Sequence, residues 1–229
     1  MCTSDQQLLE IQTGALFTHD PTGRIRHVNE PGGDPAPRFF FGRTTVGYLW
    51  RLRHDVPANT AAKLEQLAAA EPVHDDLRAE PRHLDAMRSA LRRDREIEWL
   101  ESGPAYRFPD QLPATTTPTT RITRADVRLL RRFASDLSEI AKHFDAREPR
   151  VAVVDGDAAV SVCFGARLTE HAAEAGVETL EAYRGRGYAV AAVARWAEAV
   201  RATGRIPLYS TSWDNHASRA VARSLGLIQ

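Results

Sequence analysis

Apolar residues recur three and four apart at Val190, Val193, Ala197 and Val200, and this spacing predicts a helix opening at Tyr188 with one core-facing stripe. Gly204 suits its C-terminal cap. Ahead of it, residues 175–180 include β-branched Val177 and Thr179 and predict a strand. Between the two, Arg184-Gly185-Arg186-Gly187 breaks both periods. Residues 206–213 predict a further strand. Residues 214–227 predict a capped helix closing at Gly226. Upstream, residues 151–154 and 158–164 flank Asp155-Gly156, a hairpin signal. Thr123 can cap a helix striped by Val127, Leu130 and Phe133. A second helix carries Leu137, Ile140 and Phe144 and stops at Pro149.

The first half reads differently. Residues 16–18 and 25–28 flank Asp20-Pro21-Thr22-Gly23, which predicts a β-hairpin. Pro31-Gly32-Gly33-Asp34-Pro35 is a loop. Residues 39–53 alternate, with Val46, Tyr48, Trp50 and Leu52 on one face and Arg51 and Arg53 on the other, as in half-buried strands. The alternation explains the aromatics as core rather than as a nucleic-acid stacking platform. Helices follow from Asp55-Val56-Pro57 through Leu64 and Leu67, and from about Pro81 through Leu84, Met87 and Leu91. Residues 105–108 can form a strand. The Pro/Thr-rich run at residues 113–120 is the best linker. It divides an N-terminal α/β domain, residues 1–115, from a second domain at residues 116–229.

Composition changes this picture little. The chain has 229 residues, with 30 basic and 30 acidic side chains. Zero net charge gives no reason to expect nucleic acid or a membrane surface as partner. All basic residues but Lys63 and Lys142 are arginine, which fits the codon bias of a GC-rich bacterial genome. Cys2 and Cys163 have no metal-ligand spacing and need not pair. The histidines, His171 and His216 among them, show none either, so no metal is expected. The opening residues lack a basic stretch followed by an apolar core, and no long apolar run occurs. These features predict a cytoplasmic protein; a homodimer is left open.

The chemistry lies in the glycine turn. A strand feeding a helix through such a turn presents free backbone N–H groups at the positive end of the helix dipole, an anion site suited to phosphate or pyrophosphate. A P-loop needs Gly-Lys-Ser/Thr, and neither lysine is near. A dinucleotide fingerprint wants a third glycine where Val190 stands. What remains is Arg184-x-x-Gly187-x-Ala189. It resembles the coenzyme A pyrophosphate loop of the GNAT acetyltransferases, Gln/Arg-x-x-Gly-x-Gly/Ala. The next strand and helix, with Asn215, Ser218 and a Leu225-Gly226-Leu227 close, resemble that family's following motif. The resemblance is specific over about residues 151–227 and leaves residues 1–115 unexplained.

The resemblance implies an α/β (α+β) fold, a mixed central sheet flanked by helices, here with an additional N-terminal α/β domain. It implies direct transfer of an acetyl group from acetyl-CoA to the primary amine of a small molecule or peptide. The amides of Arg184, Gly185, Arg186, Gly187, Tyr188 and Ala189 would hold the pyrophosphate, with the two arginines adding charge. Val177 and Thr179 would edge the pantetheine through their backbones, and an N–H near Thr179 would face the developing oxyanion. Asn215 and Ser218 would hydrogen-bond the cofactor.

Three departures from the pattern stand out. The usual base positions are Ala173 and Ala175, leaving Glu174 and Glu178 as candidate bases; a β-bulge would be needed to turn Glu174 round. The helix tyrosine that protonates the thiolate in many members is Ala222, so Tyr209, Ser210 and Ser212 become candidate acids. The two strands that normally follow the last helix are missing, so either the chain continues or the N-terminal domain supplies that edge. These departures give weight to an alternative, a catalytically inactive CoA-binding sensor or partner-binding module.

Overall fold

The structure, a computed structural model, describes residues 3–229. Cys2 lies outside the described residues. The chain forms two compact units that divide between Ser102 and Gly103, ahead of the Pro/Thr-rich run.

The first unit opens with helix α1 (Asp5–Leu16), which the apolar pattern does not announce. Its start is fixed by a capping box in which Ser4 and Gln7 satisfy each other's backbone amides. The hairpin β1 (Phe17–His19) and β2 (Ile25–Val28) forms around the Asp20–Gly23 turn as expected. A second hairpin, β3 (Phe39–Thr44) and β4 (Gly47–Leu52), places Val46 in its turn, 71% exposed, rather than on the core face. Helices α2 (Ala58–Ala69) and α3 (Leu84–Arg92) enclose a core of Leu52, Val56, Leu64, Leu67 and Met87.

The second unit is built on one six-stranded sheet. Its strands in chain order are β5 (Ala105–Arg107), β6 (Thr120–Ile122), β7 (Arg150–Asp155), β8 (Ala158–Leu168), β9 (Ala172–Thr179) and β10 (Ile206–Ser210). Their spatial order is β5-β10-β9-β8-β7-β6, and only β9 and β10 run parallel. The β7–β8 turn is Gly156 and Asp157, with Gly156 left-handed at φ 62°. The segment capped by Thr123 is a 3₁₀ helix, Arg124–Leu130, followed by the short α4 (Leu137–Lys142). These pack on one face of the sheet around Ile122, Leu130, Phe144, Ala152 and Val162. The other face carries α5 (Tyr188–Arg201) and α6 (His216–Ser224), whose Val193, Trp196, Val200, Val221 and Leu225 pack with Val151, Cys163, Ala173 and Tyr209. Alanines at 191, 192, 194 and 197 let α5 lie close to the sheet.

The edge expected to be missing is filled from upstream. β5 pairs antiparallel with β10, matching Tyr106 to Tyr209, and its Arg107 exchanges two backbone hydrogen bonds with Ile228 on the other side. Residues 105–107 therefore complete the second unit's sheet, and the Pro/Thr-rich run is a crossing within that unit, not its beginning.

Candidate functional site

The parallel pair β9–β10 is short. Register runs from Ile206↔Ala172 to Leu208↔Glu174 and stops, while β9 continues to Thr179. Beyond Glu174 the two strands share no backbone bonds, so the sheet opens a gap. Leu180 N–H crosses to Val160 O on β8. Amide direction alternates along a strand, so Glu178 and Gly176 also face β8, while Val177 and Thr179 turn their N–H and C=O groups into the gap. Their side chains face α5, where Val177 packs against the core and Thr179 Oγ1 shares a 2.8 Å hydrogen bond with buried Ser161.

At the mouth of the gap stands the glycine turn. Residues Glu181–Tyr183 make one 3₁₀ turn, and Arg184 N–H closes it on Glu181 O, so this amide is not available to a ligand as the sequence suggested. Gly185 and Gly187 are left-handed, at φ 74° and 78°, a region that only glycine enters freely. Gly187 is the N-cap of α5 and offers no side chain to the first-turn amides of Tyr188, Ala189 and Val190, which have no acceptor inside the helix. A methyl group added at either glycine would meet nothing within 4 Å, so the approach to these amides is open. Arg184 Nε reaches back to Thr179 O, and Arg186 lies over the Tyr183 ring and bonds Ala182 O. Both guanidinium groups thus stay on the loop. Open glycine backbone and an uncapped helix start fit a diphosphate, and strand amides facing a gap leave room for the pantetheine arm of the cofactor that the resemblance implies.

The two carboxylates lie on the sheet face away from α5. The bulge that does occur is opposite, where Ala166 is extra in β8, and β9 keeps its alternation. Glu174 is consequently not turned toward the face of Ala173 and Ala175. It sits instead at the closed end of the gap, 2% exposed, where Ser210 Oγ donates to its Oε1 at 2.6 Å. Glu178 is exposed farther along the same face. Gly176 between them lies under the Phe164 ring, which an added Cβ would strike at 2.7 Å.

On the α6 side, Asn215 caps the helix, its Oδ1 accepting from Ser218 N–H. The Ser218 hydroxyl pairs with Tyr209 OH at 2.6 Å. Tyr209 is 1% exposed, and burial pushes its hydroxyl up to about 12 despite the bond to Ser218. Burial likewise raises the Cys163 thiol far above its usual range, which makes it an inert core residue. The Glu174–Ser210 and Tyr209–Ser218 pairs depend on strand register and on a helix packing beside a strand, neither of which sequence spacing encodes. Among the described residues no three His, Cys, Asp or Glu side chains come together as a metal-holding group, and no helix is long and apolar enough to cross a membrane.

Residues 120–229 match the family model described as GNAT acetyltransferase. No curated protein matches the chain. Among solved structures it is similar to an acetyltransferase from the GNAT family of Colwellia psychrerythraea, at 12% identity over 85% of this chain and 78% of that one, TM-score 0.51. It is also similar to a GNAT-family protein from Novosphingobium aromaticivorans (19% identity, 54% and 58% of the two chains, TM-score 0.41). A GCN5-related N-acetyltransferase-like protein from Streptococcus suis is a third (14%, 85% and 82%, TM-score 0.45). The chain thus spans 58% of the length of the Novosphingobium protein. At these identities the Colwellia likeness speaks for the fold alone.

Proposed function

We propose, from the match of residues 120–229 to the GNAT acetyltransferase family model, that the protein transfers an acetyl group to the primary amine of a small molecule or peptide in a ternary complex. Acetyl-CoA would supply the acetyl group as a thioester. The observation that carries this reading is the opening between β9 and β10 beyond Glu174 and Leu208, with the Gly185–Gly187 turn at its mouth.

The residues around the gap have the following roles in this reading. The amides of Gly185, Gly187, Tyr188 and Ala189 bind the diphosphate. The backbones of Val177 and Thr179 align the pantetheine arm, and one of these N–H groups faces the thioester oxygen, where a preorganised donor acts as charge develops. Holding both reactants in the gap removes most of the entropic cost of their encounter. Glu174, at the closed end, takes the proton from the amine, and Glu178 stands at the open end of the same face. Tyr209 keeps its proton at neutral pH and passes it through Ser218 toward the departing thiolate.

Thiol release from acetyl-CoA over a panel of primary amines tests the reading. Glu174→Gln is expected to lower kcat by about 10²-fold or more and to remove the acidic limb of the pH profile, as loss of a general base does. Glu178→Gln is expected to cost less than about tenfold. The alternative reading, a CoA-binding sensor, is favoured by Ala222 in place of the usual tyrosine. Cofactor binding with no turnover of any amine would select it.

A further inference from the structure

The sheet face that carries Glu174, Gly176 and Glu178 also carries a buried cation that no carboxylate neutralises. Arg150, Phe164 and Gly176 are paired across β7, β8 and β9 and form one row on that face. The Phe164 ring leans over Gly176 to the border of the gap. The Arg150 guanidinium lies 5.7 Å from the Phe164 ring centre and 5.0 Å from that of Phe144. Arg147 adds a second guanidinium, 5.3 Å from the Phe164 ring.

Arg150 is only 5% exposed, and its Nε has no hydrogen-bond partner. Among the described residues no acid forms an ion pair with it; Glu148 only tempers the repulsion from Arg147. A buried charge is costly unless it is paired, and ring faces offset only part of that cost. Arg150 nevertheless remains protonated at neutral pH: burial, reinforced by Arg147, lowers it to about 10. Structural arginines elsewhere in this chain look different. Arg38 bonds the carbonyls of Leu91, Arg95 and Glu96, and Arg201 those of Phe108, Pro109 and Asp110. Arg150 makes no such bond.

We propose that the acceptor amine carries an anionic group, a carboxylate or a phosphate, and that the Arg150 guanidinium binds it beside the Phe164 ring. This rests on the acyl-transfer reading above and names the acceptor class for the same site. Strands lie about 5 Å apart, so a guanidinium stacked on the β8 aromatic stands roughly one strand spacing from β9. An acceptor with a few atoms between amine and anion spans that distance. A guanidinium is the side chain suited to the task, because its fork matches a carboxylate or phosphate through two N–H groups.

The test is calorimetry on the full chain saturated with CoA. N-acetyl-ω-amino acids, from N-acetylglycine to N-acetyl-6-aminohexanoate, are titrated beside their uncharged amides, with the matching N-acetyl-aminoalkylphosphonates as a second series. At one spacer length an anion is expected to bind at least about tenfold tighter than its amide. The series with the larger ratio tells carboxylate from phosphate. Arg150→Met should bring the ratio to about one, and Arg150→Lys should restore part of it, with CoA binding serving as the check that both variants fold. Equal affinity of anion and amide at every length, or a preference that survives in Arg150→Met, would overturn the inference while leaving acyl transfer standing. Absence of CoA binding in the parent protein would take both down.

Discussion

Tyr209 shows how one residue's surroundings set its chemistry. It sits on β10 with its ring among Phe108, Tyr106 and Trp196 and its hydroxyl on Ser218. Burial is the main reason its hydroxyl titrates at about 12, and the proximity of Cys163, Glu174 and Tyr106 adds to it. An unfolded tyrosine titrates near 10. Between these values the unfolded chain releases the proton and the folded chain keeps it. The contribution to stability is therefore whole below about pH 10 and is lost as pH rises toward 12. Two pK units correspond to about 2–3 kcal/mol. Urea unfolding from pH 9 to 12 should show the parent protein losing this advantage over Tyr209→Phe as the pH climbs; parallel curves would refute the argument. Legibility was uneven at this scale. Gly185 and Gly187 announce themselves, because a left-handed backbone selects glycine. For Glu174 simple alternation already places the side chain on the face opposite Ala173 and Ala175, and β9 keeps it there; what spacing does not encode is its partner Ser210, 36 residues away.

At the scale of elements, arginine closes ends that helices leave open. The last carbonyls of a helix need donors; Arg38 reaches Leu91 O in the last turn of α3 together with the carbonyls of Arg95 and Glu96 just beyond it, and Arg124 reaches Ala141 O in α4. The near absence of lysine thus has a structural consequence as well as a genomic one, because a planar fork can hold two or three carbonyls at once. The start of α3 is held differently. Glu71, its side chain 2% exposed, accepts from the amides of Arg82 and His83 and bonds His83 Nδ1. Glu71→Ala would leave three polar groups without their partner, at about 2–3 kcal/mol. Denaturant unfolding is expected to show a loss of that size, and a change under 0.5 kcal/mol would mean that water replaces the carboxylate. Regular elements were largely legible from period and punctuation, as α2, α3, β7, β8 and α5 show. Helix α1 was not, because Gln12 and Thr13 are buried on it and blur the apolar stripe. The segment after Thr123 reads as an α-helix from its cap but winds as 3₁₀, since capping fixes where a helix begins and not how tightly it turns.

For the second unit as a whole, the decisive contact is the least local one. β5 joins β10 about a hundred residues away, and no pattern within either strand specifies its partner. Without β5 the outer edge of β10, the strand whose other edge borders the gap, would expose unpaired N–H and C=O groups, a template for aggregation. The same segment brings Phe108, 5% exposed, against Trp196 and Tyr209. Arg201 at the end of α5 grips the carbonyls of Phe108, Pro109 and Asp110. The sheet edge beside β10 and the far end of α5 therefore both depend on residues 103–112. Burial of a phenylalanine of this kind is worth about 3–5 kcal/mol on truncation, a large fraction of the stability of a domain. A fragment of residues 103–229 is expected to be soluble, to unfold cooperatively and to bind CoA. A fragment of residues 116–229, cut at the Pro/Thr-rich run, is expected to aggregate or to unfold at far lower denaturant concentration. Size-exclusion chromatography with CoA calorimetry on both fragments decides the matter. Equal solubility and equal CoA binding would show that β10 needs no neighbour on that side.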